Sequence, residues 1–593
     1  MNPSINIVPN QAITVRRVIF FVLSIATAFL MLYLVHETLA ANTPLIMRVI
    51  LLLLFTLTLP WMVVGFWNAI IGLILCQFFK NPITVILPNS MHVNDTVPLT
   101  HSTAILLCIR NESLTRLSRN LETMLSGLVK DQLGQFFHIF ILSDTQDENL
   151  ANQERICFEA IRINYDSQVQ ITYRCREKNI GYKAGNIADF CQRWGKEYDF
   201  ALVLDADSFM ASSAITRLVR MMQANPRLGI LQGLVVGLPS SSAFTRLFQY
   251  GMRLGMRSYT IGSAWWQADC GPYWGHNALI RLEPFMAFCD LPMLKSRSGE
   301  PKPILSHDLI EAVLMRRAGY EVRIYPQEDA SWEENPPTLT EYIRRDLRWC
   351  EGNLQYLNLL NLANLQPVSR VQLVLAIAMF LGAPAWIALI LICTIAISLS
   401  TSPAILVNLD YLSILLLVTL VMWYLPKITG ALDVLINTSK SKSFGGRLRF
   451  SLSLFFEIVF SLLMTPIAWL NHTIYILGLV FGKKGGWTAQ TRDDHSISIP
   501  QAFHQFWPHT ALGFVLAIFL YFSHPEALFY GILFFGGLLF AVPLAVFTSQ
   551  PWLGRYMIRH RLLSLPEEIV PPAELLALNL SAIQIGSQTT HNI

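Results

Sequence analysis

The chain has 593 residues, of which 53% are hydrophobic and only 14% charged, with a formal net charge of +4. Soluble globular domains carry about 25% charged residues, so a purely soluble protein is excluded; so small a net charge, with no basic block, also leaves no electrostatic footprint for nucleic acid. The charges are unevenly placed, since residues 81–370 hold 29 of the 44 Lys and Arg and 30 of the 40 Asp and Glu. This is the charge density of a soluble domain set inside a membrane protein.

In the N-terminal region, 1–80, the uncharged run 18–35 follows Arg16 and Arg17. It is too long for a signal-peptide core and reads as a retained helix with a cytoplasmic N-terminus. A second span, 49–75, returns the chain to the cytoplasm before the charged domain, 81–370. Seven of the nine cysteines lie in that domain and no CxxC pair occurs, which fits a reducing compartment.

The charged domain opens with an apolar strand, 104–109, running into Arg110-Asn111-Glu112. A helix-period stretch follows (Leu114, Leu117, Leu121, Leu125, Leu128), then a strand, 138–142, ending in Ser143-Asp144. Another helical stretch leads to a strand at 171–173 and the turn Lys183-Ala184-Gly185-Asn186; strand 201–204 then ends in Asp205-Ala206-Asp207-Ser208. This alternation predicts a mainly parallel α/β sheet. Ligands bind at the carboxyl ends of such strands, where Asn111, Glu112, Asp144, Asp205 and Asp207 all fall. Two carboxylates at i and i+2 beyond a buried strand suit Mg²⁺ or Mn²⁺, which shares its shell with phosphate and water. A diphosphate leaving group needs such neutralisation. An isolated pair of this kind is more often a turn or cap; the strand before it and Asp144 at an earlier strand end favour the metal.

The C-terminal membrane region, 371–548, contains apolar runs at 371–399, 411–425, 450–482, 509–522 and 527–547, each near or above the length needed to span a bilayer. Basic residues mark loops 427–449 (Lys427, Lys440, Lys442, Arg447, Arg449) and 483–508 (Lys483, Lys484, Arg492), and a tail, 549–593 (Arg555, Arg559, Arg561), as cytoplasmic. The run 450–482 must then cross an even number of times. Thr465-Pro466 offers a break for a two-helix hairpin, with an interfacial helix plus a re-entrant piece as the alternative, and the expected total is about eight crossings. Glu457 within that run is a functional candidate unless the helix lies at the interface. Trp386, Trp423 and Trp469 either line a sugar path or belong to interfacial belts.

Asp144, Asp205-Ala206-Asp207, Ser306-His307-Asp308 and Arg345-Asp346-Leu347-Arg348-Trp349 occur in order. This series resembles the D, DxD, (T/S)xD, (Q/R)xxRW motifs of processive family-two glycosyltransferases, the superfamily of cellulose and hyaluronan synthases. The longer phrases at 204–210, 273–281, 306–320 and 345–353 resemble the glucans biosynthesis glucosyltransferase H family, makers of osmoregulated periplasmic β-glucans. The resemblance covers residues 100–360 closely and the later helices loosely.

It implies a GT-A-type nucleotide-sugar domain that faces the cytosol from a bacterial inner membrane. UDP-glucose would be the donor, and a growing β-1,2 glucan the acceptor and exported product. A periplasmic glucan-processing protein would be a further partner. By the same resemblance Asp205 and Asp207 hold a divalent metal on the diphosphate, and Asn111, Glu112 and Asp144 line the nucleoside pocket. Lys183 and Asn186 lie near the nucleotide, with Arg345, Arg348 and Trp349 completing the donor and acceptor contacts. Asp308 would be the general base on the acceptor hydroxyl, against a bland reading as a helix N-cap. Trp274, His276 and Asn277 would face the acceptor, and Arg492, on the polar loop 485–492, would reach the phosphates. A synthase of another polysaccharide, or a lipid-linked sugar transferase, fits the same motifs. A transporter or scaffold with a degenerate domain is disfavoured by the presence of Asp144, Asp205, Asp207 and Asp308 together.

Overall fold

Short apolar strands separated by amphipathic helices build the α/β domain, described by a computed structural model covering residues 11–87, 90, 93–94, 96–295, 301–482 and 491–580. The strands are β1 (Thr103–Ile109), β2 (Phe137–Ser143), β3 (Gln170–Cys175), β4 (Phe200–Asp205), β5 (Ser208–Met210) and β6 (Leu228–Gly233). They continue with β7 (Val236–Gly237), β8 (Ala278–Arg281), β9 (Leu294–Lys295), β10 (Pro301–Lys302), β11 (Glu321–Tyr325) and β12 (Ser331–Glu333). A seven-stranded sheet runs β11-β6-β8-β4-β1-β2-β3. Only β8 is antiparallel to its neighbours. Along β1, Ile105, Leu107 and Ile109 enter one core while Ala104 and Leu106 enter the other, the period of two that a strand imposes. A small second sheet, β5-β12-β7, closes over the carboxyl end of β4.

Among the described residues six helices are long and apolar enough to span a bilayer: Gln11–Thr38, Leu45–Phe78, Pro367–Leu399, Leu409–Ile436, Arg447–Val480 and Ile499–Ser523. The pair Pro525–Leu539 and Ala541–Thr548, bent by 53°, makes a seventh if counted as one. These fit a multi-pass membrane protein with six or seven such helices in place of about eight. The difference lies at 450–482, where the expected hairpin is one continuous helix through Pro466. A proline removes one N–H from the ladder without ending a helix packed in apolar surroundings.

Helix Arg447–Val480 also touches the α/β domain near both ends. Tyr250 Oη donates to the Phe450 carbonyl at 3.3 Å, and Tyr475 Oη donates to Glu351 at 2.8 Å. The helix therefore runs along the base of the domain. Its Glu457, 1% exposed, is paired with Lys427 and accepts from Ser461, so the buried charge is compensated. Trp386 stacks on Trp469 at 5.0 Å between ring centroids and meets Trp423 edge-on at 5.2 Å; the three rings fill one another's space. After Thr548 the chain folds back onto helix Ala243–Gln267. Buried Arg246 pairs with Glu568, and Arg253 pairs with Glu567 at 2.7 Å.

Candidate active site

The register of the sheet sets the site. Cys108 of β1 lies opposite Asp205 of β4, and Ile109 opposite Ser143 of β2. Asn111, Asp144 and the 205–207 turn therefore leave the sheet at one level.

Asp205 pairs with Lys183, whose ammonium also donates to the Gly275 carbonyl at 2.7 Å. Burial pushes the Asp205 carboxyl up, but Lys183, His276 and Arg492 outweigh it and hold it at about 2. Asp207 pairs with Arg492, which also reaches Glu112 at 3.3 Å. Burial would lower the Arg492 guanidinium, yet Asp207 and Glu112 raise it further. Arg116 bonds Glu334 at 2.9 Å and Asp493 at 2.6 Å, and the Thr491 amide donates to Glu341. Residues 491–493 are thus laced across the mouth of the site. Residues 483–490, the rest of the expected phosphate loop, lie outside the described residues.

The acceptor-side segment is fixed by close approach. Gly275 has φ +81°, a left-handed conformation that suits glycine, and a Cβ there would lie 3.4 Å from Asp308 Cβ. Asp308 is half-buried in the first turn of helix Asp308–Arg317, while His307 occupies the N-cap position. Asp308 is therefore not the cap that its bland reading supposed. His307 is buried and bonds Glu311 at 2.9 Å; burial lowers its imidazole and Glu311 raises it more, leaving it above 6.5. The Ser306-His307-Asp308 loop rests on helix Leu339–Leu354 at Gly352 and on the turn that follows it, where the Leu305 amide donates to Gln355 and Tyr356 Oη to the Ser306 carbonyl. On that helix Arg345 stacks over Trp349 at 4.8 Å, and Trp349 is 48% exposed. Arg348 is lowered by burial and by the neighbouring charges of Arg492 and Arg345.

Several expected site residues also make structural contacts of their own. Asn186 is 1% exposed and faces the interior, accepting from Arg174 at 2.7 Å and donating to the Leu142 carbonyl at 2.9 Å. Asn277 is wholly buried and donates to Ser331 Oγ, so it braces the β12 edge. Trp274 is half-buried against the core. Asp144 is buried and gripped on both oxygens by Arg176, at 2.6 and 2.8 Å, and Arg176 was not singled out in the sequence.

His276 bonds Ser208 Oγ at 3.3 Å and lies 3.6 Å from Glu333. Glu333 was also missed; burial raises it while His276 and Arg345 pull it down, and Asp207 and Asp205 lie near it. The adjacent carboxylates of Trp332-Glu333-Glu334 at a strand end were the available signal. Among the described residues no three His, Cys, Asp or Glu side chains form a complete metal cage. Two carboxylates already answered by Lys183 and Arg492 fit a hard cation that would take its remaining ligands from diphosphate and water.

The family described as "Glycosyl transferase family 2" matches residues 105–288, and "Glycosyl transferase family group 2" matches 200–426. A glucans biosynthesis glucosyltransferase H from Vibrio cholerae is 36% identical over 541 residues, covering 89% of this chain and 74% of that protein. The chain belongs to the glucans biosynthesis glucosyltransferase H family. The family's member from Ralstonia nicotianae is 34% identical over 547 residues, and there the match spans 90% of this chain and 63% of the relative's length. A mannosyltransferase from Pyrobaculum calidifontis, solved in complex with GDP-Man and Mn²⁺, matches at a TM-score of 0.38 and 13% identity, covering 62% of this chain and 98% of that one.

Proposed function

We propose that the chain is an inverting glucosyltransferase of a bacterial inner membrane, using UDP-glucose to elongate, and pass across the bilayer, a β-1,2-linked glucan. The observation that carries this reading is the junction at Gly275. Its carbonyl is held by Lys183 on Asp205, and a Cβ added to it would meet Asp308. Donor-side and acceptor-side carboxylates thereby share one cleft.

Asp308 takes the proton from the acceptor hydroxyl as that oxygen attacks the anomeric carbon. The bond from that carbon to the diphosphate breaks with inversion, and UDP leaves. General-base assistance of this kind is worth about 10²–10⁴-fold. Asp205 and Asp207 would hold a divalent cation, Mg²⁺ or Mn²⁺, which when bound supplies charge neutralisation for the diphosphate. Arg348 and Arg492 add cationic groups on the same side, with a planar fork suited to phosphate. Trp349, its ring capped by Arg345, offers the acceptor sugar an exposed apolar face. Asn111 and Glu112 at the end of β1, with Asp144 locked by Arg176, border the nucleoside end.

Glucose, the β-1,2 linkage, export and the cytosolic side of the domain rest on the family resemblance. Purified protein in lipid, given labelled UDP-glucose and Mg²⁺, should release UDP and form polymer, with linkage analysis separating this product from another polysaccharide. Asp308→Asn should lower turnover by at least about 10²-fold. No UDP release with any donor, or unchanged turnover in Asp308→Asn, refutes the assignment.

A further inference from the structure

We infer that Glu154 is a positioning residue that sets the backbone at the nucleoside end of the donor site, an inference resting on the reading of Asn111 and Asp144 proposed above. Glu154 has no exposed surface and takes no part in the chemistry just described. Three hydroxyls converge on its carboxylate. Ser143 Oγ donates to Oε2 at 2.6 Å, Tyr173 Oη to Oε2 at 3.0 Å, and Thr145 Oγ1 to Oε1 at 2.6 Å. Ser143 and Thr145 flank Asp144.

The geometry assigns these hydroxyls a direction. Each has one proton to give, and Glu154, accepting at both oxygens, receives it. Thr145 Oγ1 is left with its lone pairs free to accept the Asn111 amide, at 2.9 Å. Ser143 Oγ likewise accepts the Thr145 amide, at 3.2 Å. Asn111 stands at φ +54°, a left-handed conformation that Asn tolerates better than other residues with a Cβ, and its amide bond to Thr145 holds it there. The Asp144 amide closes the link by donating to the Ile109 carbonyl at 2.9 Å. One buried carboxylate thus orients the two hydroxyls that tie the end of β1 to the end of β2.

Isosteric Glu154→Gln replaces one acceptor oxygen by a donor. An amide facing Thr145 turns that hydroxyl's proton away from residue 154 and makes its two lone pairs serve both the new amide and the Asn111 N–H, loosening the hold on Asn111. An amide facing the other way drives against Ser143 and Tyr173. Thr145→Val removes the acceptor for Asn111 while leaving Ser143 and Tyr173 on Glu154, and Thr145→Ser restores it.

The experiment is UDP affinity by calorimetry on the full chain in lipid nanodiscs, with kcat and KM for UDP-glucose alongside. Glu154→Gln and Thr145→Val should each weaken UDP binding roughly tenfold, the worth of one such bond. Thr145→Ser should bind like wild type, and kcat at saturating donor should stay within about threefold in all three. Wild type that fails to bind UDP refutes the functional reading itself. Wild type that binds, with Glu154→Gln and Thr145→Val binding equally well, overturns the positioning role alone, as does a loss of kcat with unchanged UDP affinity. Should Glu154→Gln fail to fold, the Thr145→Val and Thr145→Ser pair decides.

Discussion

Gly352 tests whether the Ser306-His307-Asp308 loop is placed by the helix it rests on. In Gly352→Ala the new Cβ would lie 2.2 Å from Ser306 Oγ, 2.8 Å from Ser306 Cβ and 3.0 Å from its amide nitrogen, where ordinary contacts begin at 3.4 Å. Rotating the hydroxyl relieves the first overlap. The other two belong to the backbone and its Cβ, so the loop must retreat by about half an ångström.

Alanine gains about 0.8–1.0 kcal/mol of helix propensity over glycine, against about 1–3 kcal/mol for overpacking, so net destabilisation lies between about 0 and 2 kcal/mol. Activity is the sharper readout. A general base must stay within hydrogen-bond reach of its proton, and a misplacement of about 1 Å costs about 10²-fold. Half of that shift, two residues from Asp308, should lower kcat about tenfold. KM for UDP-glucose should change less than about twofold, because the donor contacts proposed above lie at the ends of β1, β2 and β4.

Adding Ser306→Gly removes both the Cβ and the hydroxyl and should restore most of the lost kcat. The measurement is initial UDP release by each purified variant in lipid, with a thermal melt to confirm folding. A folded Gly352→Ala protein with wild-type kcat, or a loss that Ser306→Gly does not relieve, refutes the placement.

Arg492→Ala should raise KM for UDP-glucose by about tenfold or more, the worth of a charge-assisted bond to phosphate; unchanged KM and turnover would show that Arg492 only ties its loop to Asp207. Glu568→Ala leaves Arg246 charged and buried, and loss of one partner of such a pair costs about 3–5 kcal/mol. Its melting temperature should therefore fall well below that of Glu526→Ala, whose carboxylate is 66% exposed, and equal melts would show that the tail does not anchor the domain. His307 carries a pH signature. Its folded value lies above the ordinary 6.5 because of Glu311, so its stabilisation is complete below 6.5 and is lost as pH rises through the folded value. The melting-temperature difference between wild type and His307→Gln should shrink as pH rises above 6.5, and a difference independent of pH refutes the link.

The residues legible in the sequence were those whose placement follows from local pattern. Strand ends at Asn111, Asp144 and Asp205 are marked by continuous apolar runs buried on both faces, and parallel packing brings such ends together wherever the helices between them are long enough to cross over. What stayed hidden depends on long-range partners. Glu333 reaches the 205–207 turn only because β12 pairs antiparallel with β5, setting Glu333 opposite Ser208. Arg176 meets Asp144 from the end of β3, and Asn186 turns inward because Arg174 and the Leu142 carbonyl claim its amide. The failed hairpin at 450–482 has a different cause. A proline is a strong stop signal in water, where a freed carbonyl is readily solvated; packed against neighbouring helices the chain keeps its remaining ladder bonds instead.

The same distinction explains why the sequence points to the motif carboxylates, Lys183 and Arg492 singly but not to the ion pairs they form. An acidic residue beyond a buried strand is conspicuous because it ends an apolar run. A lysine or arginine that will neutralise it lies on a polar segment, where one more cation is unremarkable. Lys183 and Arg492 enter the site from chain positions on either side of the DxD turn, and only the folded sheet makes them neighbours. Their pairing also bears on turnover. On the reading proposed above, a cation held by Asp205 and Asp207 would have to displace the Lys183 and Arg492 ion pairs before the donor is seated.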